Sequence, residues 1–384
     1  MPSSPQEAPA ERTVVPFDPG TLPDSLRRLG HRDVLERWQA VDRSAHGAHI
    51  VAVGNDRGGD EVHWTGAALV TARPHTAYLK IVDAVGDAPA AVAAVVDHAR
   101  ARACVQVKWE GWTARPEDAA AAGFTALRPP LTDGTGEAVG PASGYVRWLH
   151  ADPAVTEPPY YRQTTHFSCG AVTALIAQAH AGLLPAESLD RRAELTLWRD
   201  ATNFPSCEPV GLGVAVRRAW PSSSVVVHLD VDRPVLLDHF PETEQEWRAH
   251  LQRMSRADAA RIGVPIAAQA LPLTGIRSAI ERRERVLLLI SLAGMQGFDV
   301  PHWVLCHGTV HGAVVIEDPW AGTTTGDTWV DAHLLPVADE SLATMSAAPP
   351  DGFHGAVLIG DGPGPRSAAS LPEPTDEEED GQRP

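Results

Sequence analysis

The stretch QTTHFSCGAVTALIAQ, Gln163 to Gln178, combines the start of a buried helix with a candidate nucleophile. Apolar residues with helical spacing follow Cys169, and Gly182 is suited to end the helix; they are Ala171, Val172, Leu175, Ile176 and Ala179. Cys169 would then lie at the helix N-terminus, where unpaired N–H groups and the helix dipole lower the pKa of a thiol. The alternative is a small, buried and unreactive cysteine, and the local pattern alone does not separate the two.

The composition excludes several classes of protein. The chain has 384 residues, 43% of them hydrophobic, which is typical of a globular protein with two domains. Its net charge of −17, without a basic cluster, argues against a nucleic-acid partner. No apolar run approaches the roughly 18 residues of a membrane span, and the polar start is unlike a signal peptide. Four cysteines are too few for a disulfide framework, so we expect a cytoplasmic protein.

The order of the predicted elements divides the chain into two domains and two tails. Residues 23–150 alternate strands and helices, whereas residues 151–362 begin with helices and end in β-rich sequence, which is an α+β pattern. The polar residues 1–22 and the acidic residues 363–384, which contain DEEED, are expected to be disordered.

Individual elements are predicted from periodicity and turn residues. In the first domain they are two strands in 64–85 that meet near Pro74, a helix in 89–103, a strand in 104–110 and a helix in 115–127 that ends at Gly123. In the second domain they are a strand in 285–292, a hairpin of 302–310 and 312–319 joined at His311–Gly312, and a closing strand at 355–360.

A histidine and an aspartate on the predicted hairpin complete a candidate triad. His302 opens the strand HWVLCHGTV and Asp318 ends the next one, so the hairpin would bring both to one edge of the sheet. A thiol nucleophile needs a histidine to hold the proton and a third group to orient the ring. Taken singly, each residue has an ordinary alternative, a hydrogen-bonded histidine and an Asp-Pro turn.

Gln163 adds a possible oxyanion donor. Six residues before Cys169, its side-chain amide could lie beside the backbone N–H of Cys169. Two such donors form an oxyanion hole, each contributing about 3–4 kcal/mol of transition-state stabilisation. Without the cysteine, an exposed polar residue before a helix would be the simpler interpretation.

Other histidines compete for the same roles. His166 is too close to Cys169 in sequence to align its ring with the thiol, His307 should project to the sheet face opposite His302, and His311 belongs to the turn. His302, Cys306, His307 and His311 also suggest a zinc site, but a strand would direct them to different faces. We therefore predict no metal.

These elements together resemble the papain-like cysteine peptidases of the bacteriocin-processing (double-glycine leader) type. The motifs are Q-x5-C-G-A-x-x-A-L, then H-W-V-x-x-x-G, then D-P sixteen residues after the histidine, and they cover roughly Tyr160 to Gly360. The LWR-x-AT element of soluble relatives corresponds to Leu197 to Thr202. His166 stands where these proteins usually have an acidic residue.

The resemblance implies a role for each residue of the candidate site. Cys169 would be the nucleophile, His302 the base, Asp318 the residue that orients the histidine, and Gln163 the oxyanion donor. It also implies a papain-like peptidase fold for residues 151–362 and a peptide or peptide-like substrate.

The first domain resembles the GNAT acetyltransferases, through GAALVTARPHTAYLKIVDAV, the Ala-rich helix after it and AAAAGFTAL. Those enzymes bind the pyrophosphate of acyl-CoA on a Gly-rich turn at a helix N-terminus. Here the equivalent turn is Val85 to Ala93, where Asp87 places a negative charge and Pro89 lacks a donor N–H. We therefore expect a degenerate GNAT-like domain without a cofactor, with a structural or substrate-docking role.

Three functions remain open for the second domain. The first is a cysteine peptidase that hydrolyses a peptide or related amide through an acyl-thioester on Cys169. The second is an acyltransferase or peptide ligase that uses the same thiol, and the third is a non-catalytic peptide-binding module. The sequence does not define the substrate or the oligomeric state.

Overall fold

The chain forms two units, each built around a mixed sheet. The computed structural model describes residues 11–55, 63–131, 140–150, 155–201, 207–238, 240–348 and 352–362. We refer to residues 11–148 as the N-terminal unit and to residues 155–362 as the C-terminal unit. The predicted acidic tail 363–384 lies outside the described residues, and the predicted domain boundary at 150/151 stays a prediction.

The N-terminal unit contains strands β1 to β7 and helices α1 to α4. In chain order they are β1 Glu11–Pro16, α1 Asp24–Leu29, α2 Arg32–Gln39, β2 His49–Asn55, β3 His63–Thr71, β4 Tyr78–Gly86, α3 Ala88–Ala101, β5 Gln106–Glu110, α4 Pro116–Ala121, β6 Thr125–Ala126 and β7 Gly144–Trp148. The sheet order is β1-β2-β3-β4-β5-β7-β6. β4 and β5 pair in parallel with α3 as the crossover, as a GNAT-like α/β fold requires.

The C-terminal unit contains strands β8 to β14 and helices α5 to α12. In chain order they are α5 Cys169–His180, α6 Arg191–Ala201, α7 Pro209–Ala219, β8 Ser224–Leu229, α8 Glu242–Ile262, β9 Ile266–Ala267, α9 Leu273–Glu281, β10 Arg285–Ser291, α10 Ala293–Gln296, β11 Pro301–Val310, β12 Ala313–Glu317, α11 Trp329–Ala332, β13 Leu335–Ala338, α12 Asp339–Met345 and β14 Gly355–Gly360. The sheet order is β13-β12-β11-β10-β14-β8-β9.

The C-terminal sheet has an apolar core on each face. Helices α5 and α7 pack on one face, and α9 and α12 pack on the other. On the α5 face, Leu289 of β10 and Leu305 of β11 are buried against α5. On the opposite face, Val304 and Cys306 of β11 are buried with residues of β10, β12 and β13. α5 is thus fixed over β10 and β11, and β11 carries the candidate histidine.

Part of the predicted N-terminal tail is ordered, and residues 1–10 lie outside the described residues. We expected disorder over 1–22, but Glu11–Pro16 form β1, an antiparallel edge strand paired with β2. Phe17 and Leu22 are buried in the core between this sheet and α1 and α2. A short β-branched run on an edge strand gives a weak signal among polar residues and prolines, and this explains the error.

The two units share a continuous buried interface. Its apolar part combines Leu127 and Val146 of the N-terminal unit with Tyr160, Trp329 and neighbouring residues of the C-terminal unit. The backbone also crosses it, because residues 76 and 77 pair with residues 336 and 337 at the edge of the second sheet. The sheets are therefore packed together rather than joined by a tether.

The only two lysines of the chain, Lys80 and Lys108, lie in this interface. Lys80 Nζ lies 2.5 Å from the Asp331 Oδ2 atom and 2.7 Å from Glu110 Oε1. Lys108 Nζ has no such carboxylate contact among the described residues, and it donates to the backbone carbonyls of Asp331 at 2.9 Å and His333 at 2.6 Å.

The different partners give the two amines opposite pKa shifts. Burial lowers the pKa of Lys80, but the charges of Asp331 and Glu110 outweigh it, and the pKa ends above its ordinary value. Burial also lowers the pKa of Lys108, and the more distant charges of Asp331 and Glu317 offset it only in part, leaving a pKa of about 7. Lys108 is thus a buried amine that exchanges its proton near neutral pH.

Lys108 should contribute a term to the stability of the protein that rises with pH. Its pKa is about 7 in the folded chain and about 10.4 in an unfolded one. Between these values the unfolded chain binds more protons, so the free energy of unfolding should rise by up to about 1.4 kcal/mol per pH unit. His302, whose pKa in the folded chain is raised to about 10, contributes the opposite slope over the same range. The test is therefore a comparison: in urea unfolding between pH 7 and 10, the slope of the unaltered chain should exceed that of Lys108→Met by up to this amount.

Lys80→Met is the matched comparison for that experiment. It leaves Asp331 and Glu110 buried without their shared cation, so we expect a loss of about 3–5 kcal/mol of stability at pH 7. Equal pH slopes in the unaltered chain and Lys108→Met would contradict the role assigned to Lys108.

Candidate active site

Cys169 is the first residue of α5, as the sequence predicts, and Gly182 follows the helix with a positive φ of 72°. Ser168 occupies the N-cap position, and its side chain makes no cap hydrogen bond to the helix. A Cβ added at Gly170 would lie 3.0 Å from Trp303 Cδ1 and 3.1 Å from Cys207 Cβ. Glycine at this position therefore allows the start of α5 to approach β11 closely. This explains the Cys-Gly pair that opens the helix.

His302 and Asp318 lie together at the end of the β11–β12 hairpin. His302 Nε2 is 2.7 Å from Asp318 Oδ1, and this oxygen also accepts the Trp320 N–H at 2.8 Å. Cys169 is the other close neighbour of His302, near enough to raise the pKa of the imidazole. All three side chains are nearly buried, Cys169 being the most exposed at 9%. The structure thus brings the predicted cysteine, histidine and aspartate close together.

The charges around His302 favour its protonated form. Burial alone would lower the pKa of His302, but the charges of Asp318 and Cys169 and the hydrogen bonds to both raise it to about 10. An imidazolium beside Cys169 at neutral pH is the counter-ion that a thiolate requires.

Gln163 lies at the same edge but is held by its own loop. Its backbone N–H donates to Pro319 O at 3.0 Å, and its amide Nε2 donates to Thr165 O at 2.7 Å. The side chain is only 4% exposed. One of the two amide N–H groups is thus used within the loop, and the second is the one that the predicted oxyanion role would need.

The comparison with protein families decides the relationship of this unit. The profile described as "Peptidase_C39 like family" matches residues 158–360, more than half of the chain. The chain belongs to the C39-like peptidase family. No curated protein sequence matches it. The predicted family resemblance of the C-terminal unit is therefore confirmed.

Solved structures similar to this C39-like family member match both units. A putative C39-like peptidase from Bacillus anthracis has 10% identity, covers 54% of this chain and 97% of its own, and gives a TM-score of 0.27. An acetyltransferase from Bacillus subtilis in complex with CoA has 10% identity, covers 36% of this chain and 100% of its own, and gives a TM-score of 0.25.

The ribosomal-protein-S18-alanine N-acetyltransferase from Escherichia coli has 11% identity, covers 35% of this chain and 91% of its own, and gives a TM-score of 0.23. The two mixed sheets and the family match of the C-terminal unit confirm the predicted fold class as far as an α/β unit followed by a C39-like peptidase unit. Within the described residues, no helix is long and apolar enough to cross a bilayer.

The competing histidines of the C39-like unit point to other partners. His307 Nε2 lies 3.2 Å from Glu317 Oε1, and its ring packs on His180 at the far end of α5 from Cys169. His166 is exposed and packs at a tilted angle against Trp320, with ring centroids 5.2 Å apart.

The residues of the rejected zinc site do not converge either. His311 is exposed in the hairpin turn, and its ring packs near His150. Cys306 is fully buried in an apolar core, and burial raises its pKa to about 12. The described residues contain no group of three His, Cys, Asp or Glu side chains that could hold a metal ion.

Glu194 is a buried residue of the site that sequence reasoning missed. It lies on α6, and its carboxylate accepts hydrogen bonds from the Tyr161 hydroxyl at 2.9 Å, the Thr164 N–H at 2.8 Å, the Thr164 hydroxyl at 2.9 Å and the Ser168 hydroxyl. These donors lie between Tyr161 and Ser168, in the segment that contains Gln163 and leads to Cys169. The signal in the sequence is that Glu194 shares the buried face of α6 with Leu197 and Ala201.

Glu194→Gln should loosen this loop. A glutamine would direct an NH2 group at donors that need an acceptor, so we expect a loss of about 2–3 kcal/mol of stability and slower iodoacetamide alkylation of Cys169. Urea unfolding and mass spectrometry of the alkylated peptide measure the two effects. Glu187→Gln, an exposed change just before α6, should alter neither. Unfolding of Glu194→Gln at the urea concentration of the unaltered chain would contradict this role.

The predicted turn with Asp87 and Pro89 lies at the N-terminus of α3. Asp87 is the N-cap of α3, and its carboxylate accepts the Ala90 N–H at 3.1 Å. Pro89 occupies the first turn and has no N–H to donate. A cavity of about 640 Å³ lies beside this turn, lined by residues that include Val92, Trp109 and Arg147.

We expect this cavity not to hold acetyl-CoA, because the Asp87 carboxylate occupies the N-terminus of α3 where a pyrophosphate would bind. Calorimetry at micromolar protein should detect no acetyl-CoA binding. Asp87→Ser combined with Pro89→Ala, which removes the charge and restores the N–H, is the matched variant in which weak binding could appear. Binding by the unaltered chain in this range would contradict the prediction.

Proposed function

We propose that this protein is a cysteine-type peptidase that cleaves a peptide or related amide through an acyl-thioester on Cys169. The observation that carries the proposal is the position of His302, which is hydrogen-bonded to Asp318 and lies near enough to Cys169 for the thiol to raise the pKa of the imidazole. Membership of a C39-like peptidase family supports the same reaction class. The four cysteines are all free, which fits the cytoplasmic location that we propose.

The proposal assigns a residue to each step of the reaction. The Cys169 thiolate attacks the substrate carbonyl, and the resulting oxyanion is bound by the Cys169 N–H and the free amide N–H of Gln163. His302 donates its proton to the leaving amine, which departs and leaves the acyl-thioester. His302 then accepts a proton from water as water attacks the thioester. The C–S bond breaks, the acid product leaves, and the thiolate–imidazolium pair is regenerated. Asp318 orients the ring throughout.

Burial of the site favours a second candidate, acyl transfer to an amine. The side chains of Cys169, His302 and Asp318 are exposed by 9% or less, so a bound amine could reach the thioester in place of water. Incubation with substrate and a competing amine, read by mass spectrometry, separates the two. An acid product indicates hydrolysis, whereas an amide with the added amine indicates transfer.

The proposal predicts which histidine is required. On a mixed peptide library read by mass spectrometry, His302→Ala should lower cleavage by at least about 10³-fold while the fold is retained, because triad members act as a unit. Asp318→Asn should lower cleavage by a smaller factor than His302→Ala. His307→Ala and His311→Ala, matched changes on the same hairpin, should retain most activity. Near-native cleavage by His302→Ala together with loss of activity in His166→Ala would contradict the assignment.

A further inference from the structure

The Asp318 carboxylate is held from two sides, and one side belongs to the N-terminal unit. Its Oδ1 atom faces His302 and the Trp320 N–H, whereas its Oδ2 atom accepts a hydrogen bond from Arg73 Nη1 at 2.6 Å. Arg73 lies in the turn between β3 and β4. A residue of the GNAT-like sheet therefore reaches the candidate triad of the C39-like unit.

The Arg73 guanidinium is itself fixed in place. Nε donates to Asp327 Oδ2 at 3.0 Å, and Nη2 donates to Trp320 O at 3.0 Å. Asp327 is anchored in turn by Gln296 Nε2 at 2.8 Å. Arg73 is only 1% exposed. A planar guanidinium that is held by these two partners presents Nη1 in one direction, so the orientation of Arg73 also defines that of the Asp318 carboxylate.

Arg73 differs from an ion pair that only joins the two units. Lys80 forms ion pairs of that kind, because its carboxylate partners, Asp331 and Glu110, make no contact with His302 among the described residues. Asp318 contacts Arg73 and His302 at the same time. A change at Arg73 therefore has a direct route to the imidazole, whereas a change at Lys80 or Lys108 does not.

The charges around Asp318 favour its ionised form. The titratable groups that face it are His302, Arg73 and, before α5, Tyr160, whose pKa burial and the Asp318 charge raise well above its ordinary value. Burial alone would raise the pKa of Asp318, but the positive charges of His302 and Arg73 outweigh it, and the pKa is lowered. Arg73 thus helps to keep the partner of His302 negative.

We propose that Arg73 is a positioning residue of the peptidase site, which orients Asp318 and keeps it ionised, so that the N-terminal unit completes the catalytic centre. The inference rests on the proposed thiol chemistry of Cys169. It also assigns the GNAT-like unit a function in which no acyl-CoA takes part.

Arg73→Gln tests the proposal through the chemistry of Cys169. Without Arg73, Asp318 binds a proton at higher pH, His302 loses its anionic partner, and the thiolate loses its counter-ion. The rate of Cys169 alkylation near pH 6 should fall about tenfold, and its pH midpoint should rise by about one unit. Peptide turnover should fall about 10- to 100-fold in kcat with little change in KM. Arg73→Lys keeps the positive charge but loses the planar, two-armed guanidinium, so it should recover part of the alkylation rate and part of the turnover.

Lys108→Met is the matched control, since it removes a buried cation from the same interface without touching Asp318. It should leave the alkylation profile of Cys169 unchanged. In an Asp318→Asn background, Arg73→Gln should lower the alkylation rate and the turnover little further, because both changes disable the same carboxylate. Additive losses would indicate that Arg73 acts elsewhere and would overturn the proposal.

A charge-balanced variant covers the case in which Arg73→Gln does not fold. Arg73→Gln combined with Asp327→Asn removes one buried positive and one buried negative charge together, which limits the cost of an unpaired ion. Thermal unfolding establishes which variants are folded. A folded variant that alkylates at the rate of the unaltered chain across the pH range overturns the inference.

The two proposals fail in different ways. If Cys169 of the unaltered chain reacts no faster than the other three thiols, and His302→Ala changes nothing, the proposed function is wrong. If Cys169 is selectively reactive and depends on His302, but Arg73→Gln behaves like the unaltered chain, only the role of Arg73 is wrong.

Discussion

The segment Asp318–Pro319–Trp320 is the point at which the parts of the candidate site meet. The Asp318 carboxylate binds His302, the Pro319 carbonyl accepts the Gln163 N–H, and the Trp320 carbonyl accepts a hydrogen bond from Arg73. A buried carboxylate costs several kcal/mol unless it is paired, and here two cationic groups pair with it. Three consecutive residues therefore link the hairpin, the loop before the nucleophile and the other unit, and displacement of any one would disturb all three.

The residues of the candidate site that could be predicted are those whose signal is local. Cys169 is marked by the helix it opens, and His302 and Asp318 by their positions on a hairpin with a short turn. Arg73 has no such signal, because it is one arginine before a proline in a turn and its partner lies 245 positions further along the chain. Glu194 also lacks a local signal for its role in the site, since that role depends on how α6 packs against a loop. Contacts between distant segments follow from tertiary packing, which no spacing rule encodes.

The same distinction holds for the fold. Strongly periodic elements such as α3, β10 and the β11–β12 hairpin were predicted close to their observed bounds. The edge strand β1 was missed, and β8 was not separated from the helices around it, because half of its residues are only partly buried and its pattern is weak. The degree to which the two units are packed together could not be foreseen either, since a proline-containing segment between domains usually indicates a linker.

The burial of both lysines has a consequence for handling and modification of the protein. Lys80 and Lys108 are exposed by 1% or less, so in the folded state neither ε-amino group is accessible to acylating reagents, amine-directed cross-linkers or enzymes that attach groups to lysine. Arginine supplies the positive charge of the outer surface instead, and arginine resists all of these reactions. Reaction at either lysine would therefore report that the two units have come apart, which makes lysine acylation a direct measure of opening at the interface.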